Sequence, residues 1–249
     1  MRGQGLLRYN FQYDDVYEIF NQNFTSICLS CICSTGYTLL HRYSFNDGTA
    51  SDSVAGSAYA GSLVGGATVT SNQANFTTVT AYVSVPSGLF GSYTSMSVEA
   101  WLTTGVNSEY AKIFQFGASG TSSSNSIFID RASNVIRLAW LNSNGDQFFS
   151  LSSVQFDRQV NMHVVLTMST GDYARLYING VLQESTPAVV SPIPPPTVFY
   201  IGKSFVSTDP KFVGSVNEFR VWGGALSATD IAARYFQGPG GNFCLYHSL

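Results

Sequence analysis

The sequence predicts an all-β fold, a two-sheet antiparallel sandwich or jelly roll with one short helix near the C-terminus. Three observations predict it. Short apolar segments with period-two alternation recur from residue 38 onward, and turn residues separate them. Two of these turns, Asn144-Gly145 and Asn179-Gly180, are typical of tight β-hairpins. The segment 212–222 carries large apolar side chains on both of its faces, which suits a strand inside a two-layer sandwich.

The predicted strands follow this alternation in chain order. Residues 96–103 are a clear example, with Val98, Ala100 and Leu102 on one face and Glu99 and Trp101 on the other. The full set of predicted strands is 38–45, 62–69, 76–85, 96–103, 112–116, 126–130, 135–141, 147–151, 160–168, 174–178, 181–184, 198–202 and 212–222. The proline-rich run 187–196 is predicted to be a connection, since proline cannot sit in a central strand.

The helix is predicted directly after the last strand. Ser227 precedes Asp230 by three residues, a variant of the capping box that starts helices. Ile231 and Tyr235 then form an apolar stripe at helical spacing.

Length and composition indicate one large β domain. The chain has 249 residues, enough for a substantial core, and we find neither an internal repeat nor a second core. We expect an N-terminal cysteine-containing extension at 1–37, the β domain at 38–237 and a C-terminal tail at 238–249. Residues 1–20 do not resemble a signal peptide, so the chain is expected to be a piece of a longer polypeptide or an internal start if it is secreted.

Charge and hydropathy argue against two classes of function. Only 11% of the residues are charged, the net charge is −3 and only three residues are lysine, which argues against a nucleic-acid partner. No apolar run approaches the ~20 residues that a membrane span needs.

Several motifs, taken together, resemble those of laminin G-like (concanavalin A-like lectin/glucanase) jelly-roll domains. They are YSFNDGTASDSVAG at 43–56, SVEAWL around Trp101, MHVVLTM around His163, RLYINGVLQES around Asn179, FYIGK at 199–203, and the closing NEFRVWGGALS with its helix. The resemblance covers residues 39–235. It implies a jelly-roll fold in a typically non-catalytic extracellular or cell-surface module.

The resemblance also implies a structural calcium ion between the opening loop and the last strand. The matching positions are Asp52 and Glu218, with Asp47 as a nearby ligand. Calcium prefers six to eight oxygen ligands, which carboxylates and a Gly/Ser/Asn-rich loop supply. The alternative is that Asp47 and Asp52 are turn carboxylates and that Glu218 pairs with Arg220 or another cation.

The cysteines are grouped unevenly. Cys28, Cys31 and Cys33 lie together and Cys244 lies near the other end, which predicts disulfides, with a zinc site or free thiols as alternatives. Three pairings are open. Two Asn-x-Thr sequons, at Asn23 and Asn75, predict N-glycosylation of an exported protein.

The sequence contains no recognisable catalytic motif. The five glutamates, Glu18, Glu99, Glu109, Glu184 and Glu218, do not show the close pairing on one strand that related glycoside hydrolases use. His163 lies in an apolar strand and is expected to be a buried structural residue. We therefore predict that the domain is not an enzyme.

Without catalytic motifs, the sequence favours a function in ligand recognition. Loops 119–125 and 142–147 are rich in amide and hydroxyl side chains that suit sugar hydroxyls, and we name Trp140, Asn142 and Asn144 as candidate ligand-binding residues. For Trp140 a core position is nevertheless favoured over a binding face, and Trp101 and Trp222 are expected to be core residues. The sequence predicts a carbohydrate or glycoprotein partner. The alternative is an adhesion or assembly unit of a larger extracellular or filament-like protein.

Overall fold

The computed structural model describes residues 36–89, 94–118, 126–141, 147–186 and 197–241. These residues belong to one compact unit. The first strand begins at Thr38 and the helix ends at Gln237. The predicted domain limits stay a prediction, because the extension and the tail lie largely outside the described residues.

The described residues form fifteen strands, one α-helix and a single 3-10 turn at Ser57–Tyr59. The strands are β1 (Thr38–Tyr43), β2 (Ser62–Val64), β3 (Thr68–Thr70), β4 (Gln73–Phe76), β5 (Tyr82–Val85), β6 (Ser95–Thr104), β7 (Lys112–Gly117), β8 (Ser126–Ala132), β9 (Val135–Leu141), β10 (Gln147–Gln155), β11 (Met162–Ser169), β12 (Ala174–Ile178), β13 (Val181–Thr186), β14 (Val198–Ile201) and β15 (Gly214–Gly223). The helix is α1 (Ala228–Gln237).

The strands form two antiparallel sheets. The eight-stranded sheet has the order β13-β12-β11-β6-β15-β4-β3, and β1 also pairs with β15. The seven-stranded sheet has the order β10-β9-β8-β7-β14-β5-β2. This arrangement confirms the predicted fold class, a two-sheet antiparallel jelly-roll sandwich with one short helix near the C-terminus.

The main core lies between the two sheets. Period-two alternation sends one side of each strand inward, and Val98, Ala100 and Leu102 all face the core, as predicted. Phe219 lies at the centre, with its ring 5.5–5.7 Å from the rings of Phe114 and Phe199. Edge-on contacts of this kind favour aromatic packing beyond simple burial.

Helix α1 covers the other side of the eight-stranded sheet. Ser227 caps the helix by accepting a hydrogen bond from the Asp230 N–H, which confirms the predicted start. Ile231 packs with Trp222 and Leu39 in a second apolar cluster outside the main core. Within the described part of the chain, no helix is long and apolar enough to cross a membrane.

Two predicted strands are wrong in their extent. Residues 76–85 are not one strand: β4 ends at Phe76 and belongs to the eight-stranded sheet, whereas β5 begins at Tyr82 and belongs to the other. Residues 62–69 are likewise divided between β2 and β3, because Gly65 and Gly66 adopt positive φ angles of 65° and 90° and turn the chain from one sheet to the other. The predicted hairpin at Asn179-Gly180 is confirmed, with φ angles of 51° and 80°.

Candidate functional site

The seven-stranded sheet turns a polar and aromatic face away from the core. Its inward residues lie in the main core, so alternation directs their neighbours outward. Pairing across the strands places Tyr200 beside Gln115, Gln115 beside Phe128, and Phe128 beside Ala139 in one outward row. We call this surface the outer face. It comprises the outward residues of β5, β7, β8, β9 and β14 and the loop 203–211 that lies on them.

The loop 203–211 connects β14 to the segment that enters β15. Its ends are held together, because the Phe212 N–H donates a hydrogen bond to the Gly202 carbonyl over 3.1 Å. Its middle is tied to the sheet, because the Phe205 N–H donates to the buried Gln115 side-chain oxygen over 2.9 Å. The loop is therefore anchored to the outer face at both places.

A buried charge group supports the loop from below. Lys112 contacts Asp209 of the loop at 3.0 Å and Asp130 of β8 at 3.4 Å. Arg137 donates to both carboxylate oxygens of Asp130, over 2.8 and 2.7 Å. Burial raises the pKa of Asp130, although the Arg137 hydrogen bond and the Lys112 charge oppose this. The four residues Lys112, Asp130, Arg137 and Asp209 therefore connect the loop to the sheet through ion pairs. We call this group the brace.

Aromatic rings and cations lie at the surface above this brace. Tyr82 and Tyr200 are half-buried and meet edge to face, with ring centroids 5.2 Å apart. The Lys203 ammonium lies 4.3 and 4.4 Å from these two centroids. Elsewhere on the face, the Arg137 guanidinium lies 5.5 Å from the ring of Tyr110, which is 47% exposed. Such rings can pack on the apolar side of a sugar, and the cations can donate to its oxygens.

The residues that flank the predicted recognition loops lie at the same end of neighbouring strands in this sheet. Gly117, Ser126 and Leu141 are paired neighbours in the register of β7, β8 and β9. They flank the segments 119–125 and 142–147, so both segments connect strands at that same end. Residues 119–125 and 142–146 lie outside the described residues.

The eight-stranded sheet carries a second buried polar group, beneath α1. Glu99 accepts hydrogen bonds from Trp222 Nε1 over 2.9 Å and pairs with His163 Nε2 at 3.0 Å, and the Arg220 guanidinium lies 3.5 Å away. The His163 ring stacks on Trp101 with centroids 4.5 Å apart. All these side chains are buried. His163 is thus buried in the structure, as expected, and its side chain pairs with Glu99.

This environment strongly favours ionised Glu99. Burial by itself would raise the pKa of Glu99, but the His163 hydrogen bond and the positive charge of Arg220 lower the pKa to about 2. The group holds β6, β11 and β15 together rather than presenting a carboxylate to a substrate.

The three residues predicted to bind calcium already have partners within the protein. Asp52 Oδ1 accepts the N–H groups of Arg42, Val54 and Ala55, and Oδ2 lies 2.6 Å from His41 Nδ1. Burial would raise the pKa of Asp52, but its hydrogen bonds with His41 and these N–H groups lower it below the ordinary value. The Asp52 side chain therefore fastens the opening loop to β1.

The other two predicted ligands are engaged elsewhere. Glu218 forms a bidentate pair with Arg42, over 2.7 and 3.1 Å, and also accepts from Arg220 Nε over 3.1 Å. Asp47 accepts hydrogen bonds from Thr49 in an exposed turn. Among the described residues no group of three or more His, Cys, Asp or Glu side chains is arranged to hold a metal ion. The protein's own groups thus engage the carboxylates that were expected to bind calcium, and calcium binding stays an untested prediction.

The Glu218→Gln variant tests whether Glu218 stabilises the fold through Arg42 or through calcium. Because it breaks the Arg42 pair, we expect it to lower the free energy of unfolding by about 2 kcal/mol, equally in calcium and in EGTA. Urea unfolding followed by circular dichroism measures this loss. A wild-type stability that rises with calcium, with the rise absent from the variant, would instead support the calcium site.

Trp140 does not lie on a binding face, contrary to its selection as a ligand-binding residue. Its ring is 4% exposed and stacks on Phe148 in the main core, with centroids 4.6 Å apart. The reason is alternation, since Trp140 shares the inward side of β9 with Ile136 and Leu138.

The other predicted site residues divide into two groups. Asn75 is described, and its side-chain amide donates to Thr70 and to the Gln73 carbonyl, so its glycosylation stays a prediction. The following residues lie outside the described residues: Asn23, Cys28, Cys31, Cys33, Asn142, Asn144 and Cys244.

Sequence reasoning missed Tyr82, Tyr200 and Lys203. A weak signal was present, because each tyrosine alternates with apolar residues on a short strand and so faces away from the core. Tyr82 and Tyr200 are 118 positions apart by their numbers, and only the pairing of β5 with β14 brings them together.

Comparison with known proteins adds the family. A laminin G family model, described as the concanavalin A-like lectin/glucanases superfamily, matches residues 76–232. The chain belongs to this family. The match confirms the resemblance of the sequence motifs, and the laminin G-like domain spans most of both sheets. No curated protein sequence matches the chain.

Solved structures share the fold of this laminin G-like domain at low identity. Domain 4 of AbnA, a GH43 extracellular arabinanase from Geobacillus stearothermophilus, in complex with arabinotriose, is 18% identical with a TM-score of 0.62, over 80% of this chain and 98% of that domain. The receptor binding domain of botulinum neurotoxin C/D mosaic serotype is 16% identical with a TM-score of 0.63, over 80% and 51%. The binding domain of botulinum neurotoxin DC, in complex with rat synaptotagmin II, is 13% identical with a TM-score of 0.61.

Proposed function

We propose that this laminin G-like domain is a non-catalytic recognition module that binds carbohydrate, free or on a glycoprotein, through the outer face. The observation that carries the proposal is the half-buried pair Tyr82 and Tyr200 with the Lys203 ammonium against both rings. Rings in fixed positions beside donor groups suit a sugar, which presents an apolar face and a rim of hydroxyls. The arabinotriose complex of AbnA domain 4, a structure of the same fold, supports carbohydrate as the ligand class.

The carboxylates also support a non-catalytic role. A retaining glycosidase needs one carboxylate as nucleophile and a second as acid. On the outer face Asp130 is engaged by Arg137 and Lys112, and Asp209 is engaged by Lys112. In the other sheet Glu99 lies 3.5 Å from the Arg220 guanidinium, and Glu218 is paired with Arg42.

The test is binding to an array of neutral and acidic oligosaccharides that includes arabinotriose, followed by calorimetry on those retained. We expect the double variant Tyr82→Ala, Tyr200→Ala to bind about tenfold more weakly than the wild type, because it removes both ring contacts. The matched control is Tyr173→Ala, since Tyr173 is 47% exposed beside the other sheet. Equal affinity in wild type and double variant would contradict the proposed site.

A second candidate is an assembly or adhesion unit. Exposed apolar side chains occur on the edge strands of both sheets: Phe149 and Leu151 on β10 are 55% and 42% exposed, and Val181 and Leu182 on β13 are 60% and 49% exposed. Exposed apolar groups of this kind mark protein contacts when they form one patch. A chain that self-associates in sedimentation experiments and is retained by no saccharide would favour this role.

A further inference from the structure

The two ends of loop 203–211 bring two lysines to one place. Because Phe212 donates to the Gly202 carbonyl, the chain enters and leaves the loop at adjacent points. Lys203 and Lys211 are the residues directly inside this closure, and both are half-buried. Burial lowers the pKa of Lys211, and the nearby Lys203 charge lowers it further, with only partial opposition from Asp209.

Neither lysine has a carboxylate partner among the described residues. The nearest candidate, Asp209, is engaged by Lys112 at 3.0 Å and by the Ser204 hydroxyl at 2.7 Å. Lys203 instead lies against the rings of Tyr82 and Tyr200. Two like charges are thus held together in a partly desolvated position, and Asp209, which is engaged by Lys112, compensates them only in part.

This concentration of charge is unusual for the chain. The protein has a net charge of −3 and three lysines, and all three contribute to this part of the outer face. Lys112 lies beneath the loop and neutralises the buried carboxylates, whereas Lys203 and Lys211 stand at its ends. The brace therefore uses the available carboxylates and leaves the two upper ammonium groups for an external anion.

We infer that Lys203 and Lys211, with Tyr82 and Tyr200, form a subsite for a negatively charged group on a bound saccharide. The group is a uronic acid carboxylate or a sulfate ester, since both present oxygens that accept from ammonium N–H groups. The tyrosine rings pack on the sugar that carries it. This inference rests on the proposed function and deepens it, because it selects acidic over neutral saccharides.

The test compares saccharides that differ only in charge. The probes are a tetragalacturonate paired with its uncharged methyl ester and a chondroitin sulfate tetrasaccharide paired with the unsulfated tetrasaccharide, measured by calorimetry on the whole chain. We expect the wild type to bind an acidic probe at least tenfold more tightly than the methyl ester, and the preference to weaken with added salt. Tighter binding of the galacturonate than of its methyl ester assigns a carboxylate, and tighter binding of the sulfated than of the unsulfated chondroitin assigns a sulfate.

Lysine variants assign the effect to the subsite. The double variant Lys203→Met, Lys211→Met keeps side-chain length and removes both charges, and we expect its loss of affinity for the acidic probe to be at least tenfold larger than its loss of affinity for the methyl ester. Arg175→Met, which removes a cation beside the other sheet, is the control and should bind like the wild type. Urea unfolding of each variant verifies that it is folded.

The possible failures are distinguishable. Equal binding of acid and ester, or no effect of the lysine variant, overturns the anionic subsite. If the Tyr82→Ala, Tyr200→Ala variant still loses binding of the ester, the proposed function stands without the subsite. If the wild type binds none of the probes and nothing on the array, both proposals fail.

Discussion

The Phe219→Ala variant is expected to lower the free energy of unfolding by about 3–5 kcal/mol, the range for truncating a buried phenylalanine. Phe219 is fully buried on β15 at the centre of the main core, in contact with Phe114, Phe199 and Tyr43. Removing its ring leaves a cavity between two sheets whose backbones are fixed by strand pairing, so the walls cannot close on it. Urea unfolding followed by circular dichroism measures the loss.

Phe236→Ala is the matched control for this prediction. Phe236 has the same side chain but is 86% exposed on α1, so its truncation should change the free energy of unfolding by no more than about 0.5 kcal/mol. If the two variants lost similar amounts of stability, Phe219 would not occupy the centre of the core.

The Glu99→Gln variant is expected to lower the free energy of unfolding by about 3 kcal/mol at pH 7. Glu99 is buried, and its pairing with His163 and the charge of Arg220 outweigh the effect of burial and lower its pKa from 4.5 to about 2. The lowered pKa means that ionised Glu99 stabilises the fold at any pH above 4.5. The glutamine keeps the shape but leaves the buried charge of Arg220 less compensated.

The contribution of Glu99 to the free energy of unfolding should decrease as the pH falls. Because the folded pKa of Glu99 lies below its ordinary value, its contribution is fully present above pH 4.5 and is lost as the pH falls toward about 2. The difference in unfolding free energy between wild type and variant should therefore shrink over this interval. Asp172→Asn, at an exposed carboxylate paired with Arg175, is the control and should leave stability nearly unchanged at pH 7. A difference that stays constant from pH 7 to pH 2 would contradict the assignment to Glu99.

Local patterns predicted the elements well where one strand stays in one sheet. The alternation in 96–103 identified the inward side of β6, and Ser227 identified the start of α1. The same reasoning did not apply to 76–85, because that alternation continues through a turn at which the chain passes from one sheet to the other. The alternation of apolar and polar residues shows which side of a strand is buried, but it does not show which of the two sheets the strand joins.

The candidate site depended on contacts that the sequence does not display. The motif positions of Asp52 and Glu218 predict metal ligands. In the fold, His41 pairs with Asp52 and Arg42 pairs with Glu218. Trp140 was chosen from its chemistry, but the side of β9 on which it lies faces the core. In both cases the packing of the strands decided what surrounds the side chain.

The sequence by itself determined the fold class, the helix and the low, slightly negative charge, because these depend on local periodicity and composition, and the resemblance of its motifs identified the family. Only the tertiary structure decided which polar groups are satisfied. Tyr82 and Tyr200 become neighbours through the pairing of β5 with β14, and Lys203 and Lys211 through the closure between Gly202 and Phe212. Strand pairing brings together residues that are far apart along the chain, and local sequence patterns do not show which residues will meet.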